Sequence, residues 1–456
     1  MSKTFRPWDV DQEWLLPPSV NDFVPAGHIA HFIRDTVRET LDLSNILAGY
    51  SEDRGYPPYH PAMMTALLLY GYSQGIYSSR RLAKACEERV DFMAVTGINK
   101  PDFRTISDFR KRHLKALAGL FVQVLELCRK AGLVKLGHVA LDGTKIKANA
   151  SKHKAMSYGR MDATEQKLAA EVAEWMRKAE AADSAEDREH GVAHRGDETP
   201  DWVANKQKRL EKIREAKAAL EAEAKAKAAA EKPQTNGDNQ VDQPTRKGRP
   251  PNAPKDLPDD KAQRNFTDPE SRIMKTKDGY IQGFNAQAVV DAESQVIVAQ
   301  DLGQCGSDKQ QLEPMLAAIQ VANGRNPDQL SADAGYCSEA NLDAIGETGI
   351  DAYIAAGRQK HGTADAGGEK DAKPGTKTLA MQQKLRDGGF TGPYRLRKQT
   401  VEPVFGQIKQ ARGFRQFLLR GLENVQAEWS MICAVHNLLK LAAVRSNAQP
   451  KEAAAA

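Results

Sequence analysis

The chain has 456 residues, of which 41% are hydrophobic and 27% charged, and it carries a net charge of +5. This length favours two or three domains, and the composition is typical of a soluble globular protein and excludes a fully disordered one. The positive excess is too small to identify a nucleic-acid-binding protein by itself, so the distribution of the basic residues must decide.

The cysteines and the apolar runs predict a cellular location. The cysteine count is odd, the spacing is wide and no CxxC pair occurs, which predicts a reducing compartment and excludes a disulfide framework or a zinc knuckle. The N-terminus lacks the apolar run of a signal peptide, and the longest apolar stretch, residues 62–72, is shorter than a membrane span. We therefore expect a cytoplasmic protein with no membrane partner. The cysteines are Cys86, Cys128, Cys305, Cys337 and Cys433.

The first 135 residues predict a helical region. Apolar residues recur at helical spacing in four segments, and Pro61 suits the first turn of the second of them. Short helices joined by short turns are compatible with DNA binding of the helix-turn-helix type. The four predicted helices lie within residues 26–43, 60–74, 78–97 and 105–133.

A strand and an insertion follow. In "HVALDGTKIKANAS", residues 138–151, an apolar run ends at Asp142 and is followed by Lys145 and Lys147. The Ala/Glu/Lys-rich residues 160–232 predict an inserted helical hairpin, whose second helix begins at Thr199 and Pro200. Residues 233–262 are rich in proline and predict a flexible linker; its "RKGRPP" at 246–251 favours a solvated loop over a minor-groove arm.

The rest of the chain alternates between strands and helices. Residues 263–301 predict a β-hairpin, and a helix, a strand ending at Asp333, a second helix and a further strand follow. Residues 358–378 predict a loop, residues 400–420 a basic amphipathic segment, and the sequence after it a long terminal helix. This alternation predicts an α/β layer fold with a mixed sheet.

Two of these strands end in an aspartate. Asp142 closes "VALD" and Asp333 closes "LSAD", and small residues follow both. Functional sites in α/β folds assemble at strand ends, and carboxylates are the ligands that Mg²⁺ prefers. Taken singly, each Asp is more often a turn residue. Their joint occurrence favours a metal-dependent phosphodiester chemistry.

Glu402 is the third candidate. It is the only acid between Arg395 and Arg420, among seven basic residues. Thr400 predicts a helix cap, with Pro403 in the first turn, and Lys409 lies two turns beyond Glu402 on the same face. The carboxylate is either an ion-pair partner or a metal ligand. Interleaved phenylalanines favour a nucleic-acid surface over a solvated helix face.

Taken together, these motifs resemble a bacterial insertion-sequence transposase of the DDE class. The likeness rests on "HVALDGTKIKANAS", "NFTDPESRIMKTKDGYIQGFNAQAVVD", "LSADAGYCSE" and "VEPVFGQIKQARGFRQFLLRG", with "RTISDFRKRH" in the helical region, and covers about residues 5–445. It implies an α/β fold: a ribonuclease H-like mixed-sheet catalytic core, a helical N-terminal domain and an inserted helical hairpin. The implied bounds are 1–135 for DNA binding and dimerisation, 136–159 with 263–446 for catalysis, 160–232 for the hairpin and 233–262 for the linker.

The resemblance also assigns site residues. Asp142, Asp333 and Glu402 match the catalytic triad and would hold two Mg²⁺ ions, which Mn²⁺ can replace, with Asp142 bridging both. A Tyr–Arg–Glu–Lys signature of related enzymes places its Arg at Lys398 and its Lys at Lys409. The Tyr position falls on Arg395, one residue from Tyr394. The expected DNA contacts are Lys398, Lys409, Arg412, Arg415, Arg397, Lys145, Lys147, Arg80, Arg81, Lys84, Arg110, Lys111 and Arg112.

The implied partners are double-stranded DNA, as terminal inverted repeats and target, and a second copy of the chain in a homodimer. The implied reaction cuts the transposon end, frees a 3′-OH and joins it to target DNA. Two alternatives remain open at the level of sequence. One is a ribonuclease H-like nuclease or resolvase without strand transfer, and the other is a non-catalytic DNA-binding regulator derived from a transposase.

Overall fold

The computed structural model of the chain describes residues 19–50, 58–190, 201–230, 257–357, 372–373, 375–389 and 392–448. The chain forms two compact units. One comprises Met1–Ile146 and Asn285–Ala456, and the other comprises Lys147–Phe284.

The N-terminal part of the first unit is helical, as predicted. The first and third helices match their predicted segments, and Pro61 opens the third, whose cap is the His60 side chain. Two predicted helices are each broken in two, because Arg89 is extended and His113 leaves the helical conformation. The helices are α1 (Ile29–Glu39), α2 (Ser44–Leu47), α3 (Pro61–Ser73), α4 (Ser79–Glu88), α5 (Val90–Thr96), α6 (Phe103–Arg112) and α7 (Leu114–Lys130).

The remaining elements alternate, and the predicted β-hairpin and the αβ units after it are confirmed. The strands are β1 (His138–Lys147), β2 (Ala155–Ser157), β3 (Gln263–Asn265), β4 (Arg272–Thr276), β5 (Gly279–Asp291), β6 (Ile297–Gly303), β7 (Gln329–Ala332) and β8 (Asp351–Ile354). The helices are α8 (Tyr158–His190), α9 (Asp201–Ala230), α10 (Leu312–Asn323), α11 (Glu339–Gly346), α12 (Lys377–Gly388), α13 (Leu396–Gly406) and α14 (Leu422–Ala448).

The sheet of the first unit is mixed, as expected. Its described strands run in the order β6-β5-β1-β7-β8. Strands β1, β7 and β8 are parallel, whereas β5 and β6 are antiparallel. Helices α10 and α14 pack on β6, and α14 also packs along α7. The fully buried Trp429 of α14 donates from Nε1 to the Gln287 carbonyl on β5 at 3.1 Å, which fixes the helix to the sheet.

The second unit contains the predicted helical hairpin, formed by α8 and α9. The two helices share an apolar core that includes Met161, Leu168 and Ile213. Ion pairs cross between them, such as Lys217 to Asp162 at 2.6 Å. Strands β2 and β3 form a two-stranded antiparallel ribbon, and β4 pairs with the first residues of β5.

Several sequence predictions fall outside the described residues. They are the helix start at Thr199 and Pro200, residues 233–256 of the linker with its "RKGRPP" segment, and most of the 358–378 loop. Helix α12 begins inside the end of that predicted loop. None of the described helices combines the length and the apolarity needed to cross a membrane.

Candidate active site

Asp142 and Asp333 lie side by side at one edge of the sheet. The parallel register of β1 and β7 pairs Leu141 with Ala332, so the residue after each is brought to the same level. Sequence reasoning placed each Asp at a strand end. This is confirmed for Asp333, which directly follows β7, but Asp142 lies within β1, just after the last residue that pairs with β7.

The two carboxylates are held in the same way. Asp142 Oδ1 accepts the Gly143 N–H at 2.8 Å, and Asp333 Oδ1 accepts the Gly335 N–H at 2.8 Å. Asp333 thereby caps a short 3-10 turn, Ala334–Tyr336. Within the described residues, the second oxygen of each aspartate accepts no hydrogen bond from the backbone.

Burial shapes the charge of this pair. Burial raises the pKa of Asp142 to about 6, against the opposing effect of Arg397, and the neighbouring Asp333 carboxylate adds to the rise. Burial also raises the pKa of Asp333. Two carboxylates that share a poorly solvated site raise each other's pKa, a pattern that is frequent where a cation or a catalytic proton is held.

Arg397 links the first aspartate to the glutamate. Its side chain is 9% exposed, and Nη1 donates to Asp142 Oδ2 at 3.0 Å while Nη2 lies 3.8 Å from Glu402 Oε1. The guanidinium also hydrogen bonds to the Tyr394 side chain. Among the residues that the structure describes, its buried Nε has no hydrogen-bond partner. One arginine therefore touches both acids that the sequence separates by 260 residues.

This contact changes the signature expected from sequence. Tyr394 and Arg397 keep the Tyr-to-Arg spacing of the expected positions 395 and 398, but both are displaced by one residue. Lys398, expected at the Arg position, is exposed. In the structure, Arg397 therefore takes the position that the resemblance assigned to Lys398. Tyr394 lies beside it and hydrogen bonds to its guanidinium.

The helix that carries Glu402 begins earlier than expected. Helix α13 begins at Leu396, and Thr400, predicted as its cap, instead donates from Oγ1 to the Leu396 carbonyl at 2.7 Å inside the helix. Pro403 therefore lies in the helix interior. Its missing N–H leaves the Gln399 carbonyl available to Gln295 Nε2 at 3.2 Å. The predicted start at Thr400 was wrong because the hydroxyl bonds backwards within the helix.

Lys409 sits beside β1. It belongs to a π-helical turn, Gln407–Ala411, that directly follows α13. Its Nζ donates to Thr144 Oγ1 at 2.9 Å and to the Lys145 carbonyl at 3.3 Å. Burial lowers the pKa of Lys409. The ammonium group is therefore close to the residues that follow Asp142.

A further acid in the site was missed from sequence. Asp308, after β6, accepts hydrogen bonds from Lys145 Nζ at 3.1 Å, Asn285 Nδ2 at 2.7 Å and Gln287 Nε2 at 3.1 Å. Asn285 and Gln287 are fully buried polar residues in the otherwise apolar "FNAQAVV" of β5. Two amides in a core strand were the available signal, because buried amides require partners.

A divalent cation fits the aspartate pair. Asp142 and Asp333 supply adjacent anionic oxygens, and Mg²⁺ usually takes one or two carboxylates. Among the residues that the structure describes, no three acidic, histidine or cysteine side chains are grouped so as to hold an ion. The Glu402 side chain is 56% exposed and contacts Arg397. The carboxylate chemistry therefore fits a metal, with the aspartates as the better placed ligands.

The expected DNA contacts differ in exposure. The prediction that Arg110 and Arg412 contact DNA was wrong, because both side chains are buried. Arg110 donates to the Tyr77 carbonyl at 2.9 Å, and Arg412 donates to His436 Nδ1 at 3.2 Å. Lys145 is 17% exposed and paired with Asp308. The exposed members of the set are Arg80, Arg81, Lys84, Lys111, Arg112, Lys147, Lys398 and Arg415.

Comparisons with known protein families agree with these features. Residues 18–112 match the family described as Transposase domain (DUF772), and residues 250–438 match the family described as Transposase DDE domain. The second match implies a ribonuclease H-like core, as expected for the mixed sheet. No curated protein and no solved structure matches the chain.

Proposed function

Because the chain belongs to the DDE transposases of insertion sequences, we propose that it cuts phosphodiester bonds at transposon ends and joins the freed 3′-OH to target DNA. The two family matches support a DNA transposase enzyme in general. The observation that carries the finer proposal is that Asp142, within β1, and Asp333, directly after β7, follow the last paired residues of the two strands, with Arg397 linking Asp142 to Glu402.

Asp142, Asp333 and Glu402 would hold the metal, which we propose to be Mg²⁺, with Mn²⁺ able to replace it. When bound, such ions activate water and stabilise charge on the attacking and leaving oxygens of a phosphodiester. The chain's own residues orient these ligands. The Gly143 and Gly335 amides fix one oxygen of each aspartate, and Arg397 restrains Asp142.

DNA binding is assigned to the exposed basic residues. Arg80, Arg81 and Lys84 lie on α4, and Lys111 and Arg112 lie at the end of α6. We propose that this group binds the terminal inverted repeats and that two copies of the chain act together on paired ends. Lys398 and Arg415, on either side of Glu402 in sequence, would contact phosphates near the cut. Binding by several such contacts should weaken steeply as salt rises.

The test is end cleavage by three variants, Asp142→Asn, Asp333→Asn and Glu402→Gln. Each should lower the cleavage rate by at least about a hundredfold, because each removes a charge that the site needs. Binding of end DNA, measured by gel shift, should remain. Asp343→Asn is the matched control, since that exposed carboxylate pairs with Lys377 on the surface. Unchanged cleavage in all three variants would exclude the assignment.

A strand-transfer assay separates the proposal from its alternatives. End DNA with a labelled 3′-OH should become joined to target DNA in the presence of Mg²⁺. Cleavage without joining would indicate a nuclease or resolvase. Binding without cleavage would indicate a regulator.

A further inference from the structure

Asp308 is a carboxylate at the active site that the three catalytic candidates do not include. It opens a 3-10 turn, Asp308–Gln310, and its side chain is 17% exposed. Both oxygens accept from Lys145 Nζ, at 3.2 and 3.1 Å, and Oδ1 also accepts from the Asn285 and Gln287 amides. Four hydrogen bonds from three side chains therefore fix its position.

This carboxylate lies against both aspartate turns. A Cβ placed on Gly143 would be 2.9 Å from Asp308 Oδ1, and one placed on Gly335 would be 3.3 Å from Oδ2. Each oxygen thus faces one glycine. These are the two glycines whose N–H groups hold Asp142 and Asp333. Asp308 therefore spans the gap between the two turns.

The network around Asp308 contains polar groups that folding alone does not require. Asn285 is fully buried, and its Nδ2 donates to Asp308 and to the Cys305 carbonyl, whereas its Oδ1 has no hydrogen-bond partner within the described part of the chain. That Oδ1 faces the aspartate turn, 3.1 Å from where a Gly143 Cβ would lie. Gln287 accepts from the Tyr336 hydroxyl. Buried polar groups left unpaired are rare and concentrate at functional sites.

We propose that Asp308 is a positioning residue that sets the distance between Asp142 and Asp333, and so the affinity of the site for a divalent cation. This inference rests on the proposed function, because it assumes that the two aspartates bind the ion. Lys145 neutralises Asp308, so the spacer adds no net charge beside the aspartates. Lys145 is then a structural partner of Asp308.

The decisive variant is Asp308→Asn. It keeps the side-chain shape but replaces one accepting oxygen by an amide nitrogen. Because the three neighbouring side chains are donors, repulsion between N–H groups should move them away from residue 308. We expect the dissociation constant for Mn²⁺, followed by the electron paramagnetic resonance signal of free Mn²⁺, to rise at least about fivefold. The cleavage rate should fall by roughly 10- to 100-fold, since displacements near 1 Å have effects of this size. Affinity for end DNA should stay within about twofold.

Asp343→Asn again serves as the matched control, because it removes one carboxylate from a lysine pair on the surface. If Asp308→Asn folds poorly, Lys145→Met with Asp308→Asn removes the unpaired buried ammonium and is measured in the same way. Mn²⁺ affinity and cleavage per folded molecule equal to those of the unaltered chain would overturn the positioning role.

The Asp142→Asn and Asp333→Asn variants separate the two ideas. If they lose cleavage while the Asp308 variants bind Mn²⁺ normally, only the positioning role fails. If they cleave normally, the proposed function itself fails.

Discussion

Arg397 neutralises the buried Asp142 carboxylate. The guanidinium is nearly buried and spans from Asp142 to Glu402, so its removal would leave the desolvated Asp142 carboxylate without this cationic partner. An uncompensated buried carboxylate is strongly destabilising. The neighbouring Lys398 is exposed and contacts neither acid among the described residues.

We therefore predict that Arg397→Ala lowers the end-cleavage rate at least about a hundredfold, equivalent to roughly 3 kcal/mol. Lys398→Ala, the adjacent control, should leave the rate at saturating DNA nearly unchanged, because Lys398 contributes to DNA affinity alone. Both variants are assayed at a saturating concentration of end DNA. A larger loss for Lys398→Ala would restore the signature position expected from sequence.

Glu428 on α14 predicts a pH dependence of stability. It is fully buried, accepts the Leu418 and Leu419 N–H groups, and burial raises its pKa to about 7. The folded chain therefore binds this proton more tightly than the unfolded chain does. The stabilising contribution is full below the unfolded pKa near 4.5 and is lost as pH rises to about 7.

We predict that Glu428→Gln removes this dependence. The free energy of unfolding of the variant minus that of the unaltered chain should rise between pH 4.5 and 7, by on the order of 3 kcal/mol. Urea unfolding at several pH values measures it. A difference that is flat or falls with pH would contradict the raised pKa.

At the residue scale, the sequence could predict what depends on local pattern. Asp142 and Asp333 were identifiable because each directly follows an apolar run in the sequence. Arg397 and Asp308 were not, because their importance comes from contacts across 255 and 163 residues. Nothing in the local sequence distinguishes Arg397 from the basic residues around it.

At the element scale, α13 contains an unfavourable residue. Pro403 lies in the helix interior, where a missing N–H and the ring usually destabilise a helix by about 3 kcal/mol. The residue before it, Glu402, is held in a helical conformation that proline disfavours. Helix α13 therefore tolerates local strain next to a candidate metal ligand, a cost found at functional sites.

We predict that Pro403→Ala raises the melting temperature. The free energy of unfolding should increase by about 2 kcal/mol after allowing for the more flexible unfolded chain. Cleavage should fall, because a regular helix would shift Glu402. Gly119→Ala is the control: this exposed glycine lies inside α7, no atom is within 4 Å of an added Cβ, and the change should stabilise the chain by up to about 1 kcal/mol without affecting cleavage. A lower melting temperature for Pro403→Ala would contradict the prediction.

The N-terminal helices could be predicted from the sequence, but the two breaks within them could not. The apolar pattern continues through Arg89 and His113, so periodicity indicated single helices where the backbone turns. The turn at Arg89 lets its side chain pair with Asp91 in the first turn of α5. Such a local ion pair has no periodic signature in sequence.

At the scale of the whole molecule, α14 joins the N-terminal helices to the sheet. Asn437 is fully buried and exchanges two hydrogen bonds with Ile297 of β6, both at 2.8 Å. Its carbonyl also faces Cys128 Sγ of α7 at 3.7 Å. The apolar face of α7 is therefore covered by a helix from the other end of the chain.

We predict that residues 1–135 alone do not fold, because each large apolar side chain of α7 that α14 covers would lose about 1.5–3 kcal/mol of burial. The fragment should bind a hydrophobic dye and lack a near-ultraviolet dichroism signal. The control joins Ile146 to Asn285 through a short glycine-rich linker. The two residues lie on β1 and β5, which are neighbours in the sheet, so this chain should fold. A cooperative transition in the 1–135 fragment would show instead that the N-terminal helices are an independent domain.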